Sequence, residues 1–351
     1  MFLLERHRSL PAYVPGDHAE GGGFIRLNTN ESPYPPSPGV AAAIAGEVQA
    51  LGYYNDPDCT QLRAALAGLY GVKPSQVIAV NGSDELLYFA FIAFCDSKHP
   101  IALPDVTYGY YDLFAAAHGI PMEKIPLRED FTIDYRDYLG IGKTIVFPNP
   151  NAPTGFALPL WQIAEIAKSN PQNVLIVDEA YVDFGAQTAL PLIDEHPNLL
   201  IVRTFSKSRS MAGARLGYGF AQEALIAELE TIRNAVNVYS VNRMTQAAGV
   251  AAIRENDYYM ENCRRVIEAR EYTTRMLREQ GFEVLDSLGN FVFARPRGMG
   301  AAALKKELAA RGILVRHWDK PRVRDYLRIS IGTMQQMQAL DAAIEMIFGR
   351  A

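Results

Sequence analysis

Six short apolar runs, at residues 77–80, 100–104, 143–147, 173–178, 199–203 and 217–220, alternate with helical patterns, and this alternation constrains the fold most tightly. Val77-Ile78-Ala79-Val80, Ile145-Val146-Phe147 and Leu175-Ile176-Val177 show no polar alternation, so each reads as a strand covered on both faces. Helices are expected at 86–95, 110–118 and 160–168, after a helix near 37–51 and an amphipathic one ending at Leu69. Buried strands joined through helices make an α/β fold with a mostly parallel sheet covered by helices. Such sheets bind ligands beyond their strand ends.

That is where chemistry-bearing side chains fall. Tyr108 follows the run at 100–104, Asn149-Pro150-Asn151-Ala152-Pro153-Thr154-Gly155 follows 143–147, and Asp178-Glu179-Ala180-Tyr181 closes 173–178. Lys207 follows 199–203, and Asn81-Gly82-Ser83-Asp84-Glu85 joins 77–80 to the next helix. Each has a plain structural reading: core packing for Tyr108, a turn for the Asn/Pro/Gly stretch, a cap for Asp178 and for Gly82-Ser83-Asp84. Separate structural roles explain their shared placement poorly.

Lys207 lies among hydroxyls in Thr204-Phe205-Ser206-Lys207-Ser208, with Arg215 eight residues on. A lone lysine there is a solvated turn residue. The sharper reading is a Schiff-base lysine reached by a cofactor aldehyde, with Ser206 and Arg215 on a phosphate. Pyridoxal phosphate needs an amine, an anion near its ring nitrogen, phosphate donors and a ring support. Lys207 supplies the amine, and Asp178 favours the protonated ring nitrogen. Asn151 and Tyr181 are placed to bond the ring hydroxyl, and Tyr108 to cover the ring face. Gly82, Ser83 and Asp84, opening a helix, join Ser206 and Arg215 as phosphate contacts. Lys207, once displaced by a substrate amine, becomes the base that moves the Cα proton. No GxxxxGK[ST] occurs, and no GxGxxG follows a strand, which argues against P-loop and dinucleotide sites.

After residue 256 the pattern changes. A long charged helix is expected at 257–280, strands at 282–285, 290–294, 312–316 and 326–331, and a helix at 301–311. This reads as a small α+β domain completed by the Gly/Pro-rich amino-terminal arm, Gly21-Gly22-Gly23 included. The expected division is a large domain at 38–256 and a small one from 1–37 and 257–351. With 49% apolar and 21% charged residues among 351, the chain is globular rather than disordered. A net charge of -5 argues against a nucleic-acid footprint or a basic membrane surface. Cys59, Cys95 and Cys263 are scattered and read as reduced thiols without a structural metal. Met1-Phe2-Leu3-Leu4-Glu5-Arg6-His7-Arg8 lacks a secretory pattern, and the run at 86–95 is about half a membrane span, so a soluble cytoplasmic protein is expected.

The order Asn-Pro-Asn-x-Pro-Thr-Gly, Asp-Glu-Ala-Tyr, Ser-Lys-(seven residues)-Arg resembles the fold-type I aminotransferases, over nearly the whole chain. Leu27-Asn28-Thr29-Asn30-Glu31-Ser32-Pro33, the stretch 81–85 and Tyr326-Leu327-Arg328-Ile329-Ser330-Ile331-Gly332-Thr333 are similar to the histidinol-phosphate aminotransferase family. The resemblance implies a seven-stranded sheet, pyridoxal 5'-phosphate as cofactor, and a homodimer in which Tyr54 reaches the neighbouring subunit's cofactor phosphate. It places Tyr13, Asn30, Asn151, Arg316 and Arg328 around the substrate. Family members often carry proline after the tyrosine matching Tyr54; Asn55 departs from this. The implied reaction exchanges amino and keto groups between histidinol phosphate and 2-oxoglutarate, giving imidazole-acetol phosphate and glutamate in histidine biosynthesis. Aromatic (phenylalanine) transamination and phosphothreonine decarboxylation on the same fold stay open, because arginine clamps phosphate and carboxylate alike. A non-catalytic cofactor-binding module is the alternative of another class; regulators that borrow this fold add a DNA-binding segment, for which no room is expected here.

Overall fold

The computed structural model describes residues 2–3, 7–8, 10, 12–17 and 23–349. Met1, Leu4, Glu5 and Arg6 of the first octapeptide, and Gly21 and Gly22 of the arm, lie outside them. In chain order the elements are β1 (Ile25–Leu27), α1 (Pro38–Glu47), α2 (Thr60–Tyr70), β2 (Val77–Val80), α3 (Ser83–Phe94) and β3 (Ile101–Pro104). Then come α4 (Tyr110–His118), β4 (Met122–Ile125), β5 (Thr144–Pro148), α5 (Leu160–Ser169), β6 (Leu175–Asp178), β7 (Leu199–Thr204) and β8 (Gly217–Phe220). The chain continues through α6 (Glu223–Val236), α7 (Arg243–Arg254), α8 (Asn256–Glu279), β9 (Glu283–Val284) and β10 (Phe291–Arg295). It ends with α9 (Ala301–Ala310), β11 (Ile313–His317), β12 (Leu327–Ser330) and α10 (Met334–Phe348).

Seven strands form one sheet in the order β2-β8-β7-β6-β5-β3-β4, with β8 antiparallel to both its neighbours and β3 to β7 mutually parallel. The period of two divides its side chains between two cores. Ala79, Ile145, Phe147, Leu175, Val177 and Ile201 enter one; Ile78, Val80, Val146, Ile176, Leu200 and Val202 enter the other. Both faces are therefore dry, which is why these strands read as unbroken apolar runs. Strand β4 has no apolar signature in the sequence, because Met-Glu-Lys-Ile is an edge strand in which Ile125 alone is buried. Helices α6, α7 and α10 were likewise not anticipated.

The second sheet has the order β1-β11-β12-β10-β9, and β1 pairs parallel to β11, Ile25 opposite Ile313. The segment before α1 thus joins a sheet made otherwise from the last quarter of the chain. Helices α8, α9 and α10 cover it through Val266, Leu304, Leu308, Leu340 and Ile344, packed with Val292, Ile329 and Phe291. Charged α8 keeps Glu261 and Arg265 paired on its outer side, with Nε 3.0 Å from Oε1.

Within the seven-stranded sheet, the turn from β2 into α3 leaves no room for an extra atom on β8. A Cβ on Gly217, which opens β8, would lie 2.3 Å from Ser83 N and 2.4 Å from Gly82 C, so only glycine lets β8 approach the start of α3. Gly217→Ala is expected to lower unfolding stability by roughly 2 kcal/mol or more, since backbone rather than a flexible side chain must move. Urea unfolding midpoints with an unchanged m-value test this; a midpoint equal to the parent would show that β8 is free to shift.

Candidate active site

The carboxyl ends of β3, β5, β6 and β7, with the start of α3 and the turn into β8, enclose one cleft. Asp178 ends β6, is 4% exposed, and has no cation beside it among the described residues. Tyr111 Oη donates to its Oδ2 at 2.9 Å and the Ala180 N–H to its Oδ1 at 3.1 Å. Burial pushes the carboxyl up to about 6, against those two donors, with the like charges of Asp84 and Glu179 adding to the rise. A buried carboxylate with neutral donors only lacks a cation. Lys207 follows β7, the parallel neighbour of β6; its Nζ donates to the Thr29 carbonyl at 3.3 Å and lies 5.8 Å from the Tyr181 ring centre.

Tyr181 is held from the other sheet. Asn30 Nδ2 donates to its hydroxyl at 3.1 Å, while Asn30 Oδ1 accepts from Ser330 Oγ at 2.7 Å. Asn30 is itself 1% exposed and adopts φ +55, a left-handed conformation that asparagine tolerates better than most residues. Asn30 therefore orients Tyr181, whose own O–H is left to donate into the cleft. Asn151 is also buried, and both of its amide hydrogens are committed: Nδ2 donates to Val106 O and Thr154 Oγ1, each at 3.0 Å. Its Oδ1 accepts from Thr107 at 3.0 Å. Asn151 therefore fixes the loop after β3, and Tyr181 is the better-placed donor for a ring hydroxyl.

An anion cradle sits at the opposite end of the cleft. The first-turn N–H groups of Ser83 and Asp84 have no partner within α3 by geometry, and the helix end is positive. Arg215 comes to this point, its Nη1 3.5 Å from Ser206 Oγ and its Nη2 3.2 Å from Asp84 Oδ2. Gly82, at φ +81, leaves that space open: a Cβ there would lie 2.6 Å from Arg215 Nη2. Asp84 accepts from Tyr108 Oη at 2.9 Å, so its carboxylate anchors Tyr108 and Arg215, and its backbone N–H is the part free for an anion. Tyr108 meets Tyr111 edge-on with ring centres 5.5 Å apart. It thereby links the Asp84 end of the cleft to the Asp178 end.

The mouth is lined by arginines. Arg328 on β12 donates from Nη2 to Asn28 O at 2.8 Å, while its buried Nε has no partner. No carboxylate pairs with it among the described residues; burial, and then the charge of Arg316, make the cation costly. Arg316 faces Arg328 across the β11–β12 pair, and the guanidinium carbons of the two lie 5.3 and 5.2 Å from the Trp318 ring centre. Arg316 also donates to Val14 O and Pro15 O at 2.6 and 2.7 Å. It holds the arm that brings Tyr13 onto Tyr110, ring centres 4.3 Å apart. Tyr54 stands 80% exposed and stacks on Tyr239, with ring centres 4.6 Å apart. Tyr111, Thr107, Tyr239 and Trp318 also belong to these arrangements, and no sequence pattern singles them out. Among Tyr108, Tyr110 and Tyr111, nothing in residue type distinguishes the one that reaches Asp178.

The family model for aminotransferase class I and II matches residues 23–344. The chain belongs to this aminotransferase family. Histidinol-phosphate aminotransferase 1 of Bradyrhizobium diazoefficiens is 46% identical over 329 residues, covering 94% of both chains. Histidinol-phosphate aminotransferase of Aromatoleum aromaticum is 44% identical over 340 residues, 95% of this chain and 96% of that one. The solved histidinol-phosphate aminotransferase of Sinorhizobium meliloti, in complex with pyridoxal-5'-phosphate, superposes with a TM-score of 0.84 at 28% identity, covering 93% of this chain and 91% of that one. As an aminotransferase of this family, the enzyme uses pyridoxal 5'-phosphate. The cleft fits that group: an uncompensated buried carboxylate suits a pyridinium N–H, and the space kept by Gly82 beside Arg215 suits a phosphate.

The raised pKa of Asp178 gives a signed prediction for the cofactor-free aminotransferase. Its folded-state value of about 6 exceeds the ordinary 3.8, so the folded state binds more protons between these limits and stability falls as pH rises through them. Asp178→Asn removes that fall. Relative to the variant, the parent should lose on the order of 2 kcal/mol between about pH 4 and pH 6. Denaturant unfolding at several pH values, without cofactor, tests this; parallel curves would show that the carboxylate is compensated.

Proposed function

We propose that this aminotransferase exchanges the amino group of histidinol phosphate with 2-oxoglutarate, in histidine biosynthesis. The observation that carries the reading is Arg328, a half-buried guanidinium with a buried, unpartnered Nε and no carboxylate beside it among the described residues, at the mouth of a cleft that also holds Lys207. A partly desolvated cation of this kind is stabilised by an arriving anion. It must serve two substrates in turn, a phosphate ester of an amino alcohol and the carboxylate of a 2-oxo acid, and a guanidinium fork accepts both. The relatives at 44 and 46% identity, all but full length, support histidinol phosphate as the amino donor.

Pyridoxal phosphate, when bound, supplies an aldehyde for the amine and a protonated ring that draws electrons from the carbon bearing it. Asp178 holds the ring N–H. Tyr181 Oη donates to the ring oxygen, with Asn30 and Asn151 keeping the surrounding loops in place. Gly82, Ser83, Asp84, Ser206 and Arg215 hold the phosphate, and Tyr108 covers a ring face. Lys207 Nζ removes the Cα proton and returns it. Arg328, with Arg316, Trp318 and Tyr13 around it, binds the substrate anion.

The larger assembly belongs to the same proposal. Residues 38–256 form the cofactor-binding domain, and residues 1–37 with 257–351 form the smaller one. No helix among the described residues is long and apolar enough to cross a membrane, and the enzyme works in the cytoplasm as a homodimer. Tyr53 and Tyr54, 78% and 80% exposed, support a second subunit covering this loop, with Tyr54 reaching the cofactor phosphate of that subunit.

Initial rates with histidinol phosphate and with phenylalanine, with carbon dioxide monitored, test the substrate. The expected result is a kcat/KM at least about a hundredfold higher for histidinol phosphate and no gas. Preference for phenylalanine, or evolved carbon dioxide, would overturn it. Tyr54→Phe is expected to raise the cofactor dissociation constant roughly tenfold while the sedimentation coefficient stays that of a dimer. An unchanged constant would remove Tyr54 from the cradle.

A further inference from the structure

The loop joining β11 to β12 carries Trp318 against Arg316 and Arg328 at its start and Arg322 further along. Arg322 adopts φ +68, which residues with a side chain seldom take unless their surroundings impose it. The surroundings are the other sheet. Its Nη1 donates to Asp105 Oδ2 at 2.6 Å, and its Nη2 to the carbonyls of Leu127 and Arg128 at 3.0 and 2.7 Å. The guanidinium carbon lies 5.3 Å from the Phe131 ring centre, and Phe131 in turn meets Phe293 and Tyr326 edge-on. A planar fork satisfies these acceptors together; an ammonium is a point charge that does not.

Asp105 is the first residue after β3, and its other carboxylate oxygen accepts the Leu127 N–H at 2.9 Å. The next three residues are Val106 and Thr107, both bonded to Asn151, and Tyr108, bonded to Asp84. One guanidinium therefore ties the loop that starts at the anion-binding arginines to the loop that carries the ring-face tyrosine. We propose that Arg322 is a positioning residue, which sets the distance between the Arg328 anion receptor and the Tyr108–Asn151 wall. It touches no substrate itself. A substrate must place its anion on one side and its amine on the other, so loosening this tie weakens binding more than it slows the proton transfer at Lys207. The inference rests on the reading of Arg328 as the anion receptor.

The test uses Arg322→Ala, Arg322→Lys and Asp105→Asn in the full chain. In the cofactor-loaded enzyme, R322A should raise KM for the amino donor about tenfold and change kcat less than about threefold. D105N on top of R322A should add little, because the two side chains act as one unit. In the cofactor-free protein, amide exchange at residues 105–108 and 127–131 should quicken about tenfold in R322A, with an unfolding midpoint close to the parent and R322K intermediate. Unchanged exchange at 105–108, or kcat and KM that move together with a lowered midpoint, would overturn the proposal. The exchange readout needs no substrate. Failure of histidinol phosphate as donor would show separately, in the parent enzyme, with KM then read on the donor that is used.

Discussion

The cleft depends on the parallel pairing of β6 with β7 and on the buried ion pair that locks their ends. Arg203 Nε and Nη2 lie 3.0 and 2.8 Å from Glu179 Oε2, and the two side chains are 4% and 0% exposed. Glu179 also accepts from Thr188 Oγ1 and the Ala189 N–H, so the carboxylate is satisfied on both oxygens. A buried pair of this kind adds little over an apolar replacement, but losing one partner costs about 3–5 kcal/mol. Its value here is registry. Glu179 directly follows Asp178, and Arg203 lies four residues before Lys207, so fixing one pair fixes the carboxylate and the amine proposed to serve the cofactor.

Around this lock, polar groups are distributed by what they must hold. Tyr111 and the Ala180 N–H orient Asp178 without neutralising it, which leaves its charge for a cationic ring. Asp84 orients Tyr108 and Arg215 together, so cradle and ring wall share one support. Asn30, 300 residues from Ser330 in the chain, ties the β1 end to β12 and to Tyr181. That contact explains why the amino-terminal segment is built into the second sheet instead of capping the first.

Much of this was legible in the sequence for a physical reason. Strands with two dry faces, such as Leu175-Ile176-Val177, announce themselves, and the polar residues that interrupt them sit where ligands bind. Lys207, Asp178, Gly82 and Arg215 could be read on that basis. Edge strand β4 could not, because a strand with one buried side chain has no apolar signature. Nor could the exchange of duties between neighbours. Asn151 has the right chemistry for a ring hydroxyl, but its donors are taken by Val106 and Thr154, whereas Tyr181 keeps its proton free because Asn30 supplies the bond its oxygen accepts. Arg316 looks like a second anion ligand in sequence, and in the structure it braces the arm at Val14 and Pro15. Which of two like residues binds and which supports is decided by long-range contacts that spacing does not encode.

The central claim is that the uncompensated carboxylate at the end of β6 keeps the cofactor ring protonated. Nitrogen NMR of the enzyme loaded with ring-15N-labelled pyridoxal phosphate measures this directly. The account predicts a protonated ring nitrogen at pH 8 in the parent enzyme, and a shift to the unprotonated value in Asp178→Asn. An unprotonated ring in the parent, or a protonated one in the variant, would contradict it.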